Sequence, residues 1–218
     1  MIQISGAVKL AFNFPASLAL AYAYYTDLNT VLHFLPHIEV IEAYGDDHFR
    51  LLYRSTEFGG YTMQIYCDMR ALVVSRLHMI RIVPEDNLPP IRSGASLNTA
   101  TARGHFSSRG LFFPDGDETR IEYEFQLRSQ LPRPLGMRLV PARVLNSITR
   151  NVAGTRMREI AEGFIDRSID AFPGWIEEQR ADDRDNTSES LYASYESPDQ
   201  NSASAGAVDC ETGWSPRK

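Results

Sequence analysis

Apolar and polar side chains alternate along the first thirteen residues of the chain. Five large apolar residues of this segment share one parity, namely Ile2, Ile4, Val8, Leu10 and Phe12. A period of two is that of a β-strand with one face in the core and the other in water. The segment is therefore predicted to form the first strand of a sheet.

Two short helices are predicted directly after this strand. The first covers residues 18–25, where alanine and leucine dominate. The second covers residues 28–35. Thr26 or Asp27 can cap its amino end with a side-chain oxygen, and Pro36 is expected to end it.

The period of two returns at Ile38 and continues to Arg128. Six further strands are predicted in this region, over residues 38–44, 49–53, 61–69, 77–83, 97–113 and 119–128. Turn sequences such as Gly45-Asp46-Asp47 and Asp115-Gly116-Asp117 separate neighbouring strands, which indicates hairpins. Together with the first strand, they predict a seven-stranded antiparallel sheet.

A long helix is predicted over residues 142–172 and is expected to end at Pro173, since proline lacks a backbone donor and clashes with the preceding turn. Its first apolar stripe comprises Val144, Leu145, Ile148 and Val152, and its second comprises Met157, Ile160, Ala161 and Phe164. At ~100° per residue the two stripes point in different directions, with the change at Gly154. Either the helix bends there or its halves pack against different surfaces.

The composition changes after residue 179. Residues 180–218 are rich in Ser, Asp, Asn and Glu, show no apolar period, and hold eight acidic and four basic side chains. Such a segment cannot bury enough apolar surface to offset the entropy of folding. The chain is therefore predicted to consist of a folded domain over residues 1–179 and a disordered acidic tail over residues 180–218.

The net charge restricts the partners of the folded domain. Of the formal charge of −6, only −2 remains for residues 1–179. This domain offers no basic surface for phosphate backbones, so nucleic acid is not an expected partner.

The cysteines and the apolar stretches predict where the protein is found. Cys67 lies in a strand pattern and Cys210 in the tail, so no disulfide is expected, as is usual in a reducing compartment. The amino terminus lacks the positive region of a signal peptide, and the apolar stretch at residues 18–25 is far shorter than the ~20 residues of a membrane span. The chain is expected to be cytoplasmic and not transmembrane.

The order of one strand, two short helices, six strands and a long helix resembles that of the START-like superfamily, also described as SRPBCC, helix-grip or polyketide cyclase-like proteins. Five local sequences carry a narrower resemblance: Phe34-Leu35-Pro36-His37-Ile38, Tyr66-Cys67-Asp68, Gly104-His105-Phe106, Thr119-Arg120-Ile121-Glu122-Tyr123 and Arg156-Met157-Arg158-Glu159-Ile160. They resemble a domain-of-unknown-function family found mainly in cyanobacteria and plastids. The resemblance covers residues 1–176.

This resemblance implies an α+β helix-grip fold, in which the long C-terminal helix lies across the concave face of a curved seven-stranded antiparallel sheet. Members of the superfamily enclose a hydrophobic cavity between the sheet and this helix. A cavity of the usual ligand-site size would measure ~300–1,000 Å³. The narrower family brings no catalytic residues that could be transferred to this chain.

The candidate ligand-binding residues are those expected on the cavity walls near the change of stripe in the helix: Tyr53, Tyr123, Ile148, Asn151, Val152, Thr155 and Arg156. A tyrosine brings a large apolar ring and one hydroxyl, which suits a mostly apolar ligand with one polar end. The alternative is that these tyrosines fill the core and hydrogen-bond to the backbone.

No metal, cofactor or catalytic residue is predicted. His33 and His37 have the spacing of two ligands on one helical face, but Pro36 lies between them and should end the helix. A lone buried Cys67 is expected to behave as a small hydrophobe rather than as a nucleophile. The sequence also lacks the glycine-rich and G-x-S-x-G motifs that bind phosphates or present a nucleophile.

Three functions agree with these predictions. The first is the binding or carriage of a small hydrophobic ligand, such as a lipid, quinone, isoprenoid or pigment-like molecule. The second is a cyclase- or hydrolase-type enzyme acting on a hydrophobic substrate, in which Arg, Tyr or a carboxylate such as Asp68 would supply acid–base help.

The third function is that of an assembly factor that meets a protein partner through the tail or through a basic helix face. The arginines of the connector and the long helix are Arg133, Arg138, Arg143, Arg150, Arg156 and Arg158. The alternative for this face is a solvated surface on which arginines pair with Glu159 and Glu162.

Overall fold

The computed structural model describes residues 1–57, 60–133, 135–137 and 140–195. The strands of this part of the chain are β1 (Ile2–Phe14), β2 (Ile38–Ala43), β3 (His48–Glu57), β4 (Tyr61–Val74), β5 (Met79–Pro84), β6 (Gly94–Ala95), β7 (Thr99–Asp115) and β8 (Glu118–Leu131). Its α-helices are α1 (Leu18–Thr26), α2 (Leu28–Val31) and α3 (Ala142–Tyr195). Short 3₁₀ turns occupy Leu32–Phe34, Ser75–Leu77 and Leu135–Met137.

The strands form one sheet in the order β1-β8-β7-β5-β4-β3-β2, with the two-residue β6 paired to β7. The seven strands of this path correspond to the seven predicted strands, so the predicted α+β class and the predicted sheet are confirmed. The structure adds a parallel pairing of Thr62–Cys67 in β4 with Thr99–Gly104 in β7. It arises because β5 has only six residues, so the longer β7 extends past it and meets β4 directly.

One face of this sheet, called the inner face below, carries the core. Alternation along β4 buries Met63, Ile65 and Cys67 on this face, as a period of two requires. On β8, Ile121 and Phe125 are buried on the same face. The inner face of these strands is therefore a continuous apolar surface.

Helix α3 packs on the inner face through its second apolar stripe. Met157, Ile160, Ala161 and Phe164 are all buried, and Met157 and Ala161 share a core cluster with residues of β1 and β8. Glycine permits the close approach at Gly6 of β1, where a Cβ atom would collide with the sulfur of Met157. The second stripe therefore packs on the inner face.

An aromatic cluster fixes α1 and α3 to the end of β1. The ring of Phe14 is fully buried and contacts Phe172 at a centroid distance of 4.7 Å. The Tyr24 hydroxyl donates to the Ser168 carbonyl at 2.8 Å, and the Tyr25 hydroxyl lies 2.7 Å from the Ser168 hydroxyl. Rings and hydrogen bonds together attach this part of α3 to α1.

The carboxyl end of α3 differs from the prediction. The helix continues through Pro173 to Tyr195, so its predicted end at Pro173 is wrong, and residues 180–195 are helical where no stable element was expected. The rings of Phe172 and Trp175 lie on either side of Pro173 and both pack against Tyr24 of α1, and such tertiary packing can outweigh a missing backbone donor.

The boundary of the folded domain lies near this point. Met1–Trp175 form one compact unit, and a second unit begins at Ile176. The predicted division between residues 1–179 and a disordered tail stays a prediction, since residues 196–218 lie outside the described part of the chain. Among the described helices, none is both long and apolar enough to cross a membrane.

Candidate functional site

A cavity of about 60 Å³ lies between the inner face and α3 and is called the first cavity below. Its sheet wall includes Leu51, Met63, Ile65, Cys67, Phe125 and Leu127. Its helix wall consists of Thr149, Val152, Ala153, Arg156, Met157 and Ile160. Nearly all of these side chains are apolar, so the space favours an apolar occupant.

A second cavity of about 50 Å³ adjoins the first. It is bounded by α1 and α2, by the inner faces of β5, β7 and β8, and by Phe164 of α3. Its polar groups are the hydroxyls of Tyr25, Ser108 and Tyr123. Leu35 and Phe106 contact both cavities.

Both cavities are smaller than the ~300–1,000 Å³ expected of a ligand site. The helix fills most of the hollow, because Met157, Ile160 and Phe164 project into it and are buried there. The prediction that α3 covers the sheet holds, but the space that it leaves is divided and narrow.

Four of the predicted ligand-binding residues face these cavities. Tyr53, Val152 and Arg156 line the first cavity, and Tyr123 lines the second. Whether they contact a ligand stays a prediction, but the fold brings them to the inner space from two strands and one helix.

Asn151 and Thr155 do not line either cavity. Asn151 and Thr155 are exposed on α3, and the Thr155 hydroxyl donates to the Asn151 carbonyl at 3.2 Å. They lie outward because each helical residue is turned by ~100° from the next, which separates Asn151 from its cavity-facing neighbour Val152. The side chain of Ile148 lies outside the described residues.

Sequence reasoning missed Leu35, Phe106 and Thr149. Phe106 could have been found from the alternation of β7, since it shares the parity of the buried Ala100 and Ala102. Thr149 could have been found from helical spacing, because it lies three and four residues before Val152 and Ala153. Nothing in the local sequence indicates that Leu35, in the segment after a 3₁₀ turn, reaches both cavities.

Arg156 lies where the first cavity meets the surface, with its side chain 35% exposed. Its guanidinium donates to Glu159 Oε2 at 2.6 Å, and His37 Nε2 lies 3.4 Å from Glu159 Oε1. The hydrogen bond from Arg156 holds the pKa of the Glu159 carboxyl below its ordinary value. This polar group marks one rim of an otherwise apolar space.

The arginines of α3 agree with the solvated alternative for the basic face. Arg156 pairs with Glu159, and Arg158 pairs with Glu162 at 3.6 Å. Such exposed pairs contribute little to stability. Arg138 and the side chain of Arg150 lie outside the described residues.

The phenols of the second cavity stay protonated at neutral pH. Burial raises the pKa of Tyr123 to about 12, although a hydrogen bond with Ser108 lowers it in part. Burial also raises the pKa of Tyr25, whose hydroxyl bonds to Ser168. These groups can position a polar atom of a ligand, but they are poor general bases at pH 7.

Cys67 lies on the sheet wall of the first cavity, and burial raises the pKa of its thiol to about 12. The thiolate is the reactive form of cysteine. The geometry therefore makes Cys67 a neutral apolar wall residue.

The reactivity of Cys67 provides a first prediction. In a Cys210→Ser variant, Cys67 is the only thiol. At pH 8 we expect 5,5′-dithiobis(2-nitrobenzoate) to modify this thiol slowly in the native protein. The rate should be at least roughly a hundredfold lower than in the urea-unfolded protein. Absorbance of the released thionitrobenzoate measures both rates. Equal rates would show that the thiol is neither buried nor protonated.

Asp68, the carboxylate named in the enzyme hypothesis, lies on the outer face of β4 between Cys67 and Met69, which face the first cavity. Its carboxylate accepts from Arg50 Nε at 2.6 Å and from Arg50 Nη2 at 3.0 Å. Asp68 is therefore not one of the residues that line the first cavity.

Metal ligands do not converge in the described part of the chain. No group of three or more His, Cys, Asp or Glu side chains there is arranged to hold a metal ion. His33 belongs to a 3₁₀ turn and His37 to the following turn, where its φ is 60°. The two therefore do not share a helical face.

Comparison with known proteins was made at the level of sequence and of structure. No protein-family model matches the chain, and no curated protein matches its sequence. Solved structures that match include an aromatase/cyclase of Streptomyces sp. R1128, which is 15% identical with a TM-score of 0.43 and aligns over 79% of this chain and 94% of its own.

Two further matches also combine low sequence identity with a low TM-score. A truncated norcoclaurine synthase of Thalictrum flavum is 12% identical with a TM-score of 0.43, covering 78% of this chain and 94% of its own. A START superfamily protein of Mycobacterium smegmatis is 14% identical with a TM-score of 0.37, and the alignment covers 74% of this chain and 97% of its own. At scores this low, the fold rests on the observed topology, which is the predicted START-like helix-grip arrangement. The narrower resemblance to a cyanobacterial and plastid family stays a prediction.

Proposed function

We propose that this protein binds a small hydrophobic molecule in the space between the inner face and α3. The observation that carries this proposal is the pair of adjoining, almost wholly apolar cavities. At roughly 24 cal/mol per Å³, empty space of this size costs on the order of 1 kcal/mol per cavity. Proteins commonly give up stability of this kind where they function.

The walls of the first cavity can adapt to a ligand larger than the present space. Three methionines contribute to them, Met63, Met69 and Met157. Methionine has three rotatable bonds and a polarizable sulfur, so it can change conformation at little cost. A bound ligand would displace these side chains and occupy the space that they fill in the empty protein.

The chemistry of the walls favours a ligand that is apolar along most of its surface. A lipid, quinone, isoprenoid or pigment-like molecule has this character. Polar groups such as Arg156 and Tyr53 lie on the walls of the first cavity and would orient a single polar end of the ligand.

The direct test is to purify the protein without detergent, extract it with organic solvent and identify the extracted molecules by mass spectrometry. We expect an apolar molecule in stoichiometric amount, or, if the protein is empty, saturable binding of cis-parinaric acid with an increase in probe fluorescence. A folded protein that neither retains an apolar molecule nor binds the probe would contradict the proposal.

Val152→Phe provides a prediction about the location of the site. The larger ring would fill the first cavity, and we expect the affinity for cis-parinaric acid to fall at least roughly tenfold, because each buried methylene contributes about 0.8 kcal/mol to apolar binding. Fluorescence titration gives the dissociation constants.

Asn151→Phe is the matched control, since Asn151 is the exposed neighbour of Val152 on the same helix. It should leave the affinity for the probe unchanged. An equal loss in the two variants would place the binding site elsewhere.

The other hypotheses stay predictions. Neither catalysis of a cyclase or hydrolase type nor a protein partner gains a specific supporting contact among the residues that the structure describes. The cytoplasmic location also stays a prediction, based on cysteine usage. Pull-down with the full chain and with a chain truncated after residue 179 would test a partner of the tail.

A further inference from the structure

The two cavities follow one another along α3. Thr149 lines the first cavity and Phe164 lines the second. These residues are fifteen positions apart, which corresponds to about 22 Å along a helix axis at ~1.5 Å per residue. The apolar space is therefore long and thin rather than round.

Two side chains line both cavities. Leu35 and Phe106 are the residues of the described chain that contact both. Phe106 comes from β7 on the inner face, and Leu35 from the segment between the 3₁₀ turn and β2. We call these two side chains the partition.

The partition is made of groups that can move. The ring of Phe106 is half-buried, and its centroid lies 5.9 Å from that of Phe125 in a tilted arrangement. An aromatic side chain in a strand chooses between staggered χ1 positions. A change of position at Phe106 would join the cavities without a shift of the backbone.

We propose that the two cavities form one binding site for an extended, flexible apolar chain, and that Leu35 and Phe106 determine the length of chain that the site accepts. This inference rests on the proposed function and names the shape of its ligand. A compact ring system would require α3 to move away from the sheet, because each cavity by itself holds only about 60 or 50 Å³. A thin chain requires that the partition yields and that the flexible methionines of the first cavity adjust, while α3 stays in place.

The polar groups on the walls agree with a chain that enters from the side of the first cavity. The interior hydroxyls of Tyr25 and Tyr123 already bond to Ser168 and Ser108. The ion pair of Arg156 and Glu159 lies at the surface rim. A polar end of the ligand would lie at this rim, and its apolar end would point past the partition towards Phe164.

The test compares octanoate and tetradecanoate, which share a carboxylate and differ by six methylenes. Titration calorimetry would give the ratio of their affinities in the parent protein and in Phe106→Ala. Each methylene that enters an apolar site raises affinity about fourfold. We expect Phe106→Ala to raise the preference for tetradecanoate by roughly tenfold or more, because the longer chain no longer has to displace the ring.

Phe113→Ala is the matched control, since Phe113 lies on the same strand as Phe106, is 42% exposed and lines neither cavity. It removes the same ring atoms away from the binding site, and should change the preference by less than about twofold. Leu35→Ala acts on the partition from the opposite side and should change the preference in the same direction as Phe106→Ala. It serves as the test if the phenylalanine variant does not fold, as judged by circular dichroism.

The outcomes separate the two proposals. If the parent protein binds neither fatty acid nor cis-parinaric acid, the proposed function fails and this inference fails with it. If the fatty acids bind but the partition variants and Phe113→Ala change the preference equally, the proposed function stands and the partition is refuted.

Discussion

Replacing Asp68 by alanine is expected to lower the free energy of unfolding by about 3–5 kcal/mol. This is the range for removing one partner of a buried ion pair while the other charge stays buried. Urea denaturation followed by circular dichroism would measure this loss. Binding of cis-parinaric acid by the folded variant should not change, because Asp68 lies on the outer face of β4 and away from both cavities.

The size of this effect follows from the burial of the pair. The Asp68 side chain is 0% exposed and that of Arg50 is 9% exposed. Arg50 also donates to the Pro89 carbonyl at 2.6 Å, and Arg103 Nη2 lies 3.6 Å from Asp68 Oδ2. Without the carboxylate, the Arg50 guanidinium would stay buried with no compensating charge at this position.

Two further variants show whether this reasoning is correct. The double variant Arg50→Met/Asp68→Leu removes both charges and should be far less destabilised than Asp68→Ala, since no unpaired charge is left. Glu122→Ala breaks the exposed pair with Arg120 and should change stability by less than about 1 kcal/mol. An Asp68→Ala protein as stable as Glu122→Ala would show that the pair is not buried in solution.

The outer-face position of Asp68 could be predicted from the sequence only in part. Alternation along residues 61–69 places Asp68 opposite Cys67 and Met69, so one face of β4 had to carry a charge. Its partner Arg50 comes from another strand, and the β3–β4 register that brings them together is not visible in either segment alone.

The fold as a whole was more predictable than the site, because each of its elements has a local pattern. The strict alternation of β1 and the turn at Asp115-Gly116-Asp117 indicate their structures without reference to the rest of the chain. The end of α3 was mispredicted at Pro173 because the ring contacts that extend the helix through this residue link it to Tyr24, far away in sequence.

The volume of the cavities is the quantity that the sequence predicts least well. It is a small difference between the hollow under α3 and the side chains that fill it, such as Met157 and Phe164. Changing one rotamer alters that difference without altering any apolar pattern. Sequence periodicity therefore identifies the walls, while the size of the space depends on packing.

Replacing Phe14 by alanine is also expected to lower the free energy of unfolding by about 3–5 kcal/mol, the range for removing a fully buried ring. Phe14 is 0% exposed and contacts three rings, those of Tyr24 at 5.7 Å, Tyr25 at 5.2 Å and Phe172 at 4.7 Å. Each such pair adds about 0.5–1.5 kcal/mol beyond the burial of apolar area.

Tryptophan fluorescence can measure the loss of stability within the aromatic cluster that contains Phe14. In a Trp214→Phe background, Trp175 is the only tryptophan, and its ring lies 5.3 Å from that of Tyr24 in the same cluster. Urea titration of this emission should show a lower midpoint for Phe14→Ala. Phe113→Ala is the matched control, since Phe113 is 42% exposed and its loss should change stability by no more than about 0.5 kcal/mol.

The Phe14→Ala variant also shows whether the aromatic cluster affects ligand binding in addition to the stability of the fold. Phe14 lines neither cavity, although it helps to hold α3, which forms one wall of both. If the cluster acts only as an anchor, folded Phe14→Ala should bind cis-parinaric acid within about threefold of the parent affinity, although its neighbour Tyr25 lines the second cavity. A much larger loss of affinity at unchanged secondary structure would mean that the anchor also positions the wall, and that the cavities exist only while the aromatic cluster holds α3 against the sheet.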